Sequence, residues 1–260
     1  MTRVLSGVAL AASAFALVWW LPTTALLAVA LVMALLSYLE YARLVRAIGA
    51  DLPFVPALLA TLTACVSVAL PWVHVPSLLG VLLLVVALSL MLGGSHGAPL
   101  MHGASAAMLA PVYLGLPIGA LIGIHATAGR EGLLVLIATV TASDSAQYYS
   151  GRTFGRRPLA PTISPNKTIE GAFGGLIVAP LVLWLLARTW LPQLAPAAAV
   201  GAGVGIVVAG IAGDLFESAL KRAAGVKDSG ALIPGHGGVL DRIDALLFAA
   251  PLFYLVVRAA

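Results

Sequence analysis

Residues 52–129 read LPFVPALLATLTACVSVALPWVHVPSLLGVLLLVVALSLMLGGSHGAPLMHGASAAMLAPVYLGLPIGALIGIHATAG, and these 78 residues between Asp51 and Arg130 contain no Asp, Glu, Lys or Arg. Soluble domains carry about a quarter charged residues, so an uncharged run this long belongs in hydrocarbon. One crossing takes about 20 mainly apolar residues as a helix, which leaves room for about three once connections are subtracted. Pro71–Pro76 and the Gly93–Gly103 stretch are the natural breaks, predicting spans at 54–70, 77–92 and 104–124. Toward the N-terminus no charge lies between Arg3 and Glu40, and Pro22-Thr23 reads as the turn of a helical hairpin joining Val4–Leu21 to Thr24–Tyr38. Toward the C-terminus further spans are expected at Gly132–Tyr149, Gly171–Ala187, Ala197–Ala224 and Gly237–Val257. The expected fold class is an all-α integral membrane protein, a polytopic helical bundle with about nine transmembrane helices.

The whole chain agrees with that run. Of 260 residues, 61% are hydrophobic and 9% charged, with a mean hydropathy of +1.06, which excludes a soluble domain, disorder, collagen and coiled coil. A disulfide scaffold is excluded by the single Cys65. With alternating spans, one side receives Arg3, Arg43, Arg46, Arg152, Arg156, Arg157, Lys167, Lys221, Arg222, Lys227 and Arg242, and the other Arg130, Arg188 and Arg258. The positive-inside rule therefore predicts a cytoplasmic N-terminus and a multi-pass protein of the cell's inner (plasma) membrane, its chemistry facing the cytoplasm. A cleaved signal peptide is the rival reading of Met1–Leu21, but Ala11-Ala12-Ser13-Ala14 lies inside the apolar run rather than after it. Basic cytoplasmic loops account for the net charge of +4 without nucleic acid as a partner, and they attract anionic lipids. Eighteen of the 24 charges fall between Arg130 and Asp244. Residues 1–129 thus read as a transmembrane scaffold of about five spans, and 130–260 as a catalytic transmembrane domain of about four.

The densest constellation starts inside the eighth span. Asp214, Glu217, Ser218 and Lys221 follow i, i+3, i+4, i+7 spacing and share one helix face. Lys221, Arg222 and Lys227 with Asp228, Asp241 and Asp244 then surround a loop containing Pro234-Gly235-His236-Gly237-Gly238. Glycines let backbone approach a ligand and expose N–H groups to anions, and the loop opens into the ninth helix, whose N-terminus favours phosphate. Cations for phosphate oxygens, hard carboxylates for Mg²⁺ and a backbone cradle are the parts of phosphoryl-transfer chemistry.

The 27-residue run Ser218-x-Leu-Lys221-Arg222-x4-Lys227-Asp228-x-Gly230-x2-Ile233-Pro234-x-His236-Gly237-Gly238-Val-x-Asp241-Arg242-Ile-Asp244 resembles the signature of phosphatidate cytidylyltransferases (CDP-diacylglycerol synthases). Asp144-Ser145-Ala146-Gln147-Tyr148-x2-Gly151-Arg152-x-Phe154-Gly155-Arg156 and Ile163-Ser164-Pro165-Asn166-Lys167-Thr168-x-Glu170-Gly171-x2-Gly174-Gly175 are similar to two further motifs of that family, so the resemblance covers residues 140–245. It implies a nucleotidyltransferase of phospholipid biosynthesis that condenses CTP with phosphatidic acid, giving CDP-diacylglycerol and pyrophosphate. It further implies Mg²⁺ with K⁺ as a second metal, a homodimer embedded in membrane lipids, and a site open to the cytoplasm. By motif position Asp228, Asp241 and Asp244 would be metal carboxylates. Lys221, Arg222, Lys227 and Arg242 would bind phosphates, with Ser218 beside them. His236 with Gly235, Gly237 and Gly238 would line the nucleotide loop, and Asp144, Asn166, Lys167 and Glu170 would face the same cavity. One departure is Gln147, where many members of the family place a small residue.

Plainer readings apply to several residues. Thr168 and Glu170 suit capping of the seventh helix, and Arg152, Arg156 and Arg157 suit orientation signals. His74, His96, His102 and His125 are scattered without carboxylates, and the five Trp fit an aromatic belt. Competing functions are a CTP-dependent lipid kinase, a cytidylyltransferase for another lipid phosphate and, in a different class, a secondary transporter.

Overall fold

The computed structural model describes residues 2–70, 74–230, 232 and 237–260. Its helices are α1 (Thr2–Trp20), α2 (Thr23–Ala47), α3 (Phe54–Ala69), α4 (Val75–Leu92), α5 (Gly97–Ala110), α6 (Leu116–Phe154), α7 (Ile169–Trp190), α8 (Pro196–Ala223) and α9 (Leu240–Ala259), with a π-helical turn at Pro111–Gly115. The long uncharged run folds as α3, α4 and a third helix running from α5 through the π turn into α6. Pro111 lacks the N–H that a regular α-turn needs, a known cause of such local widening. Within α6, Gly129 adopts φ 71° and ψ −177°, so the segments before and after it are two helices meeting at a residue that only glycine makes comfortable. Four helical stretches, Thr23–Ala47, Gly97–Phe154, Ile169–Trp190 and Pro196–Ala223, are long and apolar enough to cross a membrane by length and composition. Their outward rows carry large apolar side chains, among them Val32, Ile177 and Val208, each more than half exposed. Exposed apolar rows of this kind suit contact with lipid.

One feature departs from an all-α fold. Between α6 and α7 the chain makes a small antiparallel hairpin of β1 (Pro158–Ala160) and β2 (Ser164–Thr168), with Pro158 opposite Thr168 and Ala160 opposite Ser164. These strands, three and five residues long, are too short to show an alternating pattern, so periodicity could not reveal them.

The chain forms two compact units. The first comprises Met1–Leu10, Leu21–Gly123 and Leu220–Arg242, and the second Ala11–Trp20, Ile124–Ala219 and Ile243–Ala260. In the first, α2 is anchored by buried tyrosines. Tyr38 donates from its hydroxyl to the Phe54 carbonyl at 2.6 Å and Tyr41 to the Ala106 carbonyl at 2.8 Å. The π turn and the start of α6 lie hard against α3: a Cβ added at Gly115 or Gly119 would run into the carbonyls of Thr61 or Cys65. Small residues at helix crossings permit this approach and gain dispersion contacts where lipid offers no hydrophobic drive.

The second unit uses the same device. Gly171 lies where a side chain would meet the Gln147 carbonyl at 2.7 Å, and Gly174 where it would strike Ser150, which brings α7 against α6. Gly203 places α8 on Pro180 of α7, and Gly213 places α8 on α9 beside Phe248. Thr168 caps α7 by accepting from the Gly171 N–H at 3.1 Å.

Candidate active site

Each unit holds a cluster of charged side chains. In the first unit the hub is Asp241, at the start of α9. Its Oδ1 accepts from Lys221 Nζ at 2.6 Å, and its Oδ2 accepts from the Ser229 N–H at 2.9 Å, the Ser229 hydroxyl at 2.8 Å and the Gly238 N–H at 2.8 Å. The Lys221 and Asp241 side chains are only 12% and 5% exposed, so this pair is largely desolvated. Gly237, with φ 79°, turns the chain tightly enough that a Cβ there would press on the Asp241 carboxylate.

A residue that the sequence reading passed over completes this cluster. Glu40, in α2 and 4% exposed, accepts from the Ser229 hydroxyl at 2.9 Å, the Val239 N–H at 2.9 Å and the Leu240 N–H at 2.8 Å. The first amides of α9, expected to face a phosphate, are therefore donated to a carboxylate of the protein itself. The signal that could have found it was Glu40 standing at the end of a charge-free run, since an ionisable group at membrane depth is functional by default. Nothing in the sequence linked it to a loop nearly two hundred residues away.

Arg222, Lys227, Asp228 and Arg242 are exposed, and Arg222 closes the last turn of α8. Cations in such positions are free of the desolvation cost that Lys221 bears, and they suit phosphate oxygens. Gly235 and His236 lie outside the described residues.

In the second unit Lys167, on β2, forms an ion pair with Asp214 of α8. Asp144 of α6 is in electrostatic reach of Asp244, Asp214 and Lys167. Gln147 donates its amide to Ser143 at 3.0 Å and to Asp144 at 3.4 Å, and its stem fills the space that Gly175 leaves open. That gives the unusual residue a local task, holding Asp144. Ser218 is half-buried on α8, one residue past the fully buried Glu217. Asn166 is exposed on β2. Glu170 turns elsewhere: it accepts from the N–H groups of Arg156 and Arg157 at 3.0 and 3.3 Å, closing the corner where α6 ends.

Hard carboxylate oxygens suit Mg²⁺ chemically, and Asp144 has two further carboxylates, Asp214 and Asp244, within electrostatic reach. Asp241 fits less simply, because four donors already occupy its oxygens. Among the described residues no three His, Cys, Asp or Glu side chains are grouped closely enough to form a ready metal cage.

Comparison with known proteins adds an independent line. The sequence model described as the cytidylyltransferase family matches residues 1–260. An uncharacterized Escherichia coli protein, YnbB, is 46% identical over 126 residues, covering 48% of this chain and 42% of its own length. The phosphatidate cytidylyltransferase of Haemophilus influenzae is 46% identical over 125 residues, 46% of this chain and 43% of that protein. That of Bacillus subtilis is 38% identical over 155 residues, 57% of this chain and 56% of that protein. The chain thus spans about half the length of the curated relatives it matches.

Proposed function

Because this chain belongs to the cytidylyltransferase family, we propose that it transfers the cytidylyl group of CTP to phosphatidic acid, giving CDP-diacylglycerol and pyrophosphate. The observation that carries this reading is the family match along all 260 residues, and relatives named phosphatidate cytidylyltransferase support the lipid substrate. A phosphate oxygen of the lipid forms a bond to the α-phosphorus of CTP as the bond from that phosphorus to the bridging β-oxygen breaks. Pyrophosphate leaves with the electron pair. The nucleophile is already anionic, so no general base is needed, and the task is to bring two polyanions together and align them.

The exposed cations Arg222, Lys227 and Arg242 bind and orient the phosphates, and Lys221, fixed by Asp241, adds a charge whose direction is set in advance. Mg²⁺, when bound, supplies neutralisation of charge developing on the phosphate oxygens. Asp244, Asp144 and Asp214 are the carboxylates of the second unit that would hold it, while in the first unit Asp241 serves first as the anchor of Lys221 and Asp228 is assigned to metal by the family motif alone. Ser218, Asn166 and the loop around His236 contribute to substrate binding on the strength of the family motifs. In this reading the chain crosses the inner membrane about nine times with its N-terminus in the cytoplasm, works as a homodimer and uses K⁺ as a second cation.

Purified protein given α-labelled CTP, Mg²⁺ and phosphatidate is expected to move label into the lipid phase and release pyrophosphate. Release of CDP with unlabelled lipid would make it a kinase instead. Solute counterflow in proteoliposomes without nucleotide would make it a transporter. Asp→Asn at 228, 241 and 244 is expected nearly to abolish turnover, and full activity in all three would refute the site.

A further inference from the structure

We infer that Glu40 is a positioning residue for the loop joining α8 to α9, an inference that rests on the cytidylyl-transfer reading above. Its single carboxylate holds both ends of that loop. Ser229 lies at the start, and Val239 and Leu240 lie at the end, where α9 begins, and all three donate to Glu40 within 2.8–2.9 Å. The carboxylate also explains two glycines. A Cβ at Gly230 would stand 2.8 Å from Glu40 Oε1, and one at Gly238 would collide with Oε2. The space for a side chain is filled by Glu40 at Gly230, and by Glu40 together with the Ser229 hydroxyl at Gly238.

The contact extends to the cation. The Ser229 hydroxyl lies between Glu40 and Asp241, at 2.9 and 2.8 Å, and its one proton serves one carboxylate at a time. Asp241 in turn holds Lys221 at 2.6 Å. A path of hydrogen bonds therefore runs from a buried carboxylate in α2, through Ser229 and Asp241, to the ammonium assigned to phosphate. A buried carboxylate is costly unless donors surround it, and the first amides of a helix are well suited because they have no partner inside the helix and carry the positive end of its dipole. Among the described residues the hydrogen bonds of Glu40 go to Ser229, Val239 and Leu240. Its effect on the reaction runs through loop placement.

The test compares the full-length protein with Glu40→Ala, Glu40→Gln, Glu40→Asp, Gly238→Ala and the double variant E40A/G238A. Two readouts are used: steady-state kinetics with CTP and phosphatidate varied separately, and amide hydrogen exchange over residues 226–242. For E40A the KM for CTP is expected to rise about tenfold or more while the KM for phosphatidate stays within about twofold. Exchange at Val239 and Leu240 should quicken. E40Q, which keeps one acceptor oxygen, should fall between E40A and the parent. G238A alone should be severe, and its added cost should shrink once the carboxylate is gone and only the Ser229 hydroxyl crowds the new Cβ. An unchanged KM for CTP in E40A, or activity lost only in proportion to folded protein, overturns the inference, and should E40A not fold, the same criteria apply to E40Q and E40D. If the parent moves no label from CTP into lipid, the reaction reading fails by itself. Exchange then still decides whether Glu40 holds the loop, and unchanged protection at Val239 and Leu240 would rule it out.

Discussion

Asp241 shows how one side chain can be spoken for inside the protein. Its two oxygens take four donors, and its pair with Lys221 is nearly dry. Breaking a buried pair by removing one partner strands the other charge and costs about 3–5 kcal/mol. Lys221→Met is therefore expected to lower the unfolding midpoint of the detergent-solubilised protein markedly and to stop cytidylyl transfer. The double variant K221M/D241N should regain part of the stability and none of the turnover, because neutralising both partners removes the stranded charge without restoring the cation. Equal stability of K221M and the parent would mean that the pair is solvated in the working protein. The identity of these residues as chemical was legible in the sequence, since charges crowding an otherwise apolar chain need a reason. Their pairing was not, because a cation and a carboxylate twenty residues apart could equally have met ligand, water or each other.

At the scale of elements, the hairpin and the helix that follows it carry Lys167 to Asp214, and their placement rests on a cap and on missing side chains. Thr168→Ala removes the acceptor for the Gly171 N–H and is expected to cost about 1 kcal/mol, read as a modest drop in the thermal midpoint. Gly203→Leu should do more harm. Its side chain would enter the space held by Pro180, whose nitrogen would lie 2.8 Å from the new Cβ, and overpacking of this kind costs about 1–3 kcal/mol. If G203L melts with the parent, α7 and α8 are not in that contact. The helices themselves were legible because their apolar runs and proline breaks are local signals, as in 54–70 and 77–92, which fold as α3 and α4. The strands were hidden, since they are only three and five residues long and Ser164-Pro165-Asn166 looks like any turn.

For the molecule as a whole, orientation is the prediction that charge alone makes. In a Cys65→Ala background, a membrane-impermeant thiol reagent applied to intact cells is expected to label Arg188→Cys and to reach Arg157→Cys only after permeabilisation. The reverse pattern would invert the protein and move its chemistry to the other face. By itself the amino-acid sequence determined that this chain is helical and apolar, where its charges gather, and which family signature they spell. Those properties are written residue by residue in hydropathy and spacing, so no folding is needed to read them. Only the tertiary structure decided that Glu40 closes on the loop before α9, that residues 220–242 pack in the same unit as 21–123, and that Asp144 comes within electrostatic reach of Asp214 and Asp244. Such meetings depend on which helix faces approach across long stretches of chain. In a sequence made largely of interchangeable Ala, Leu, Val and Gly, a helix's apolar face does not say which neighbour it will find.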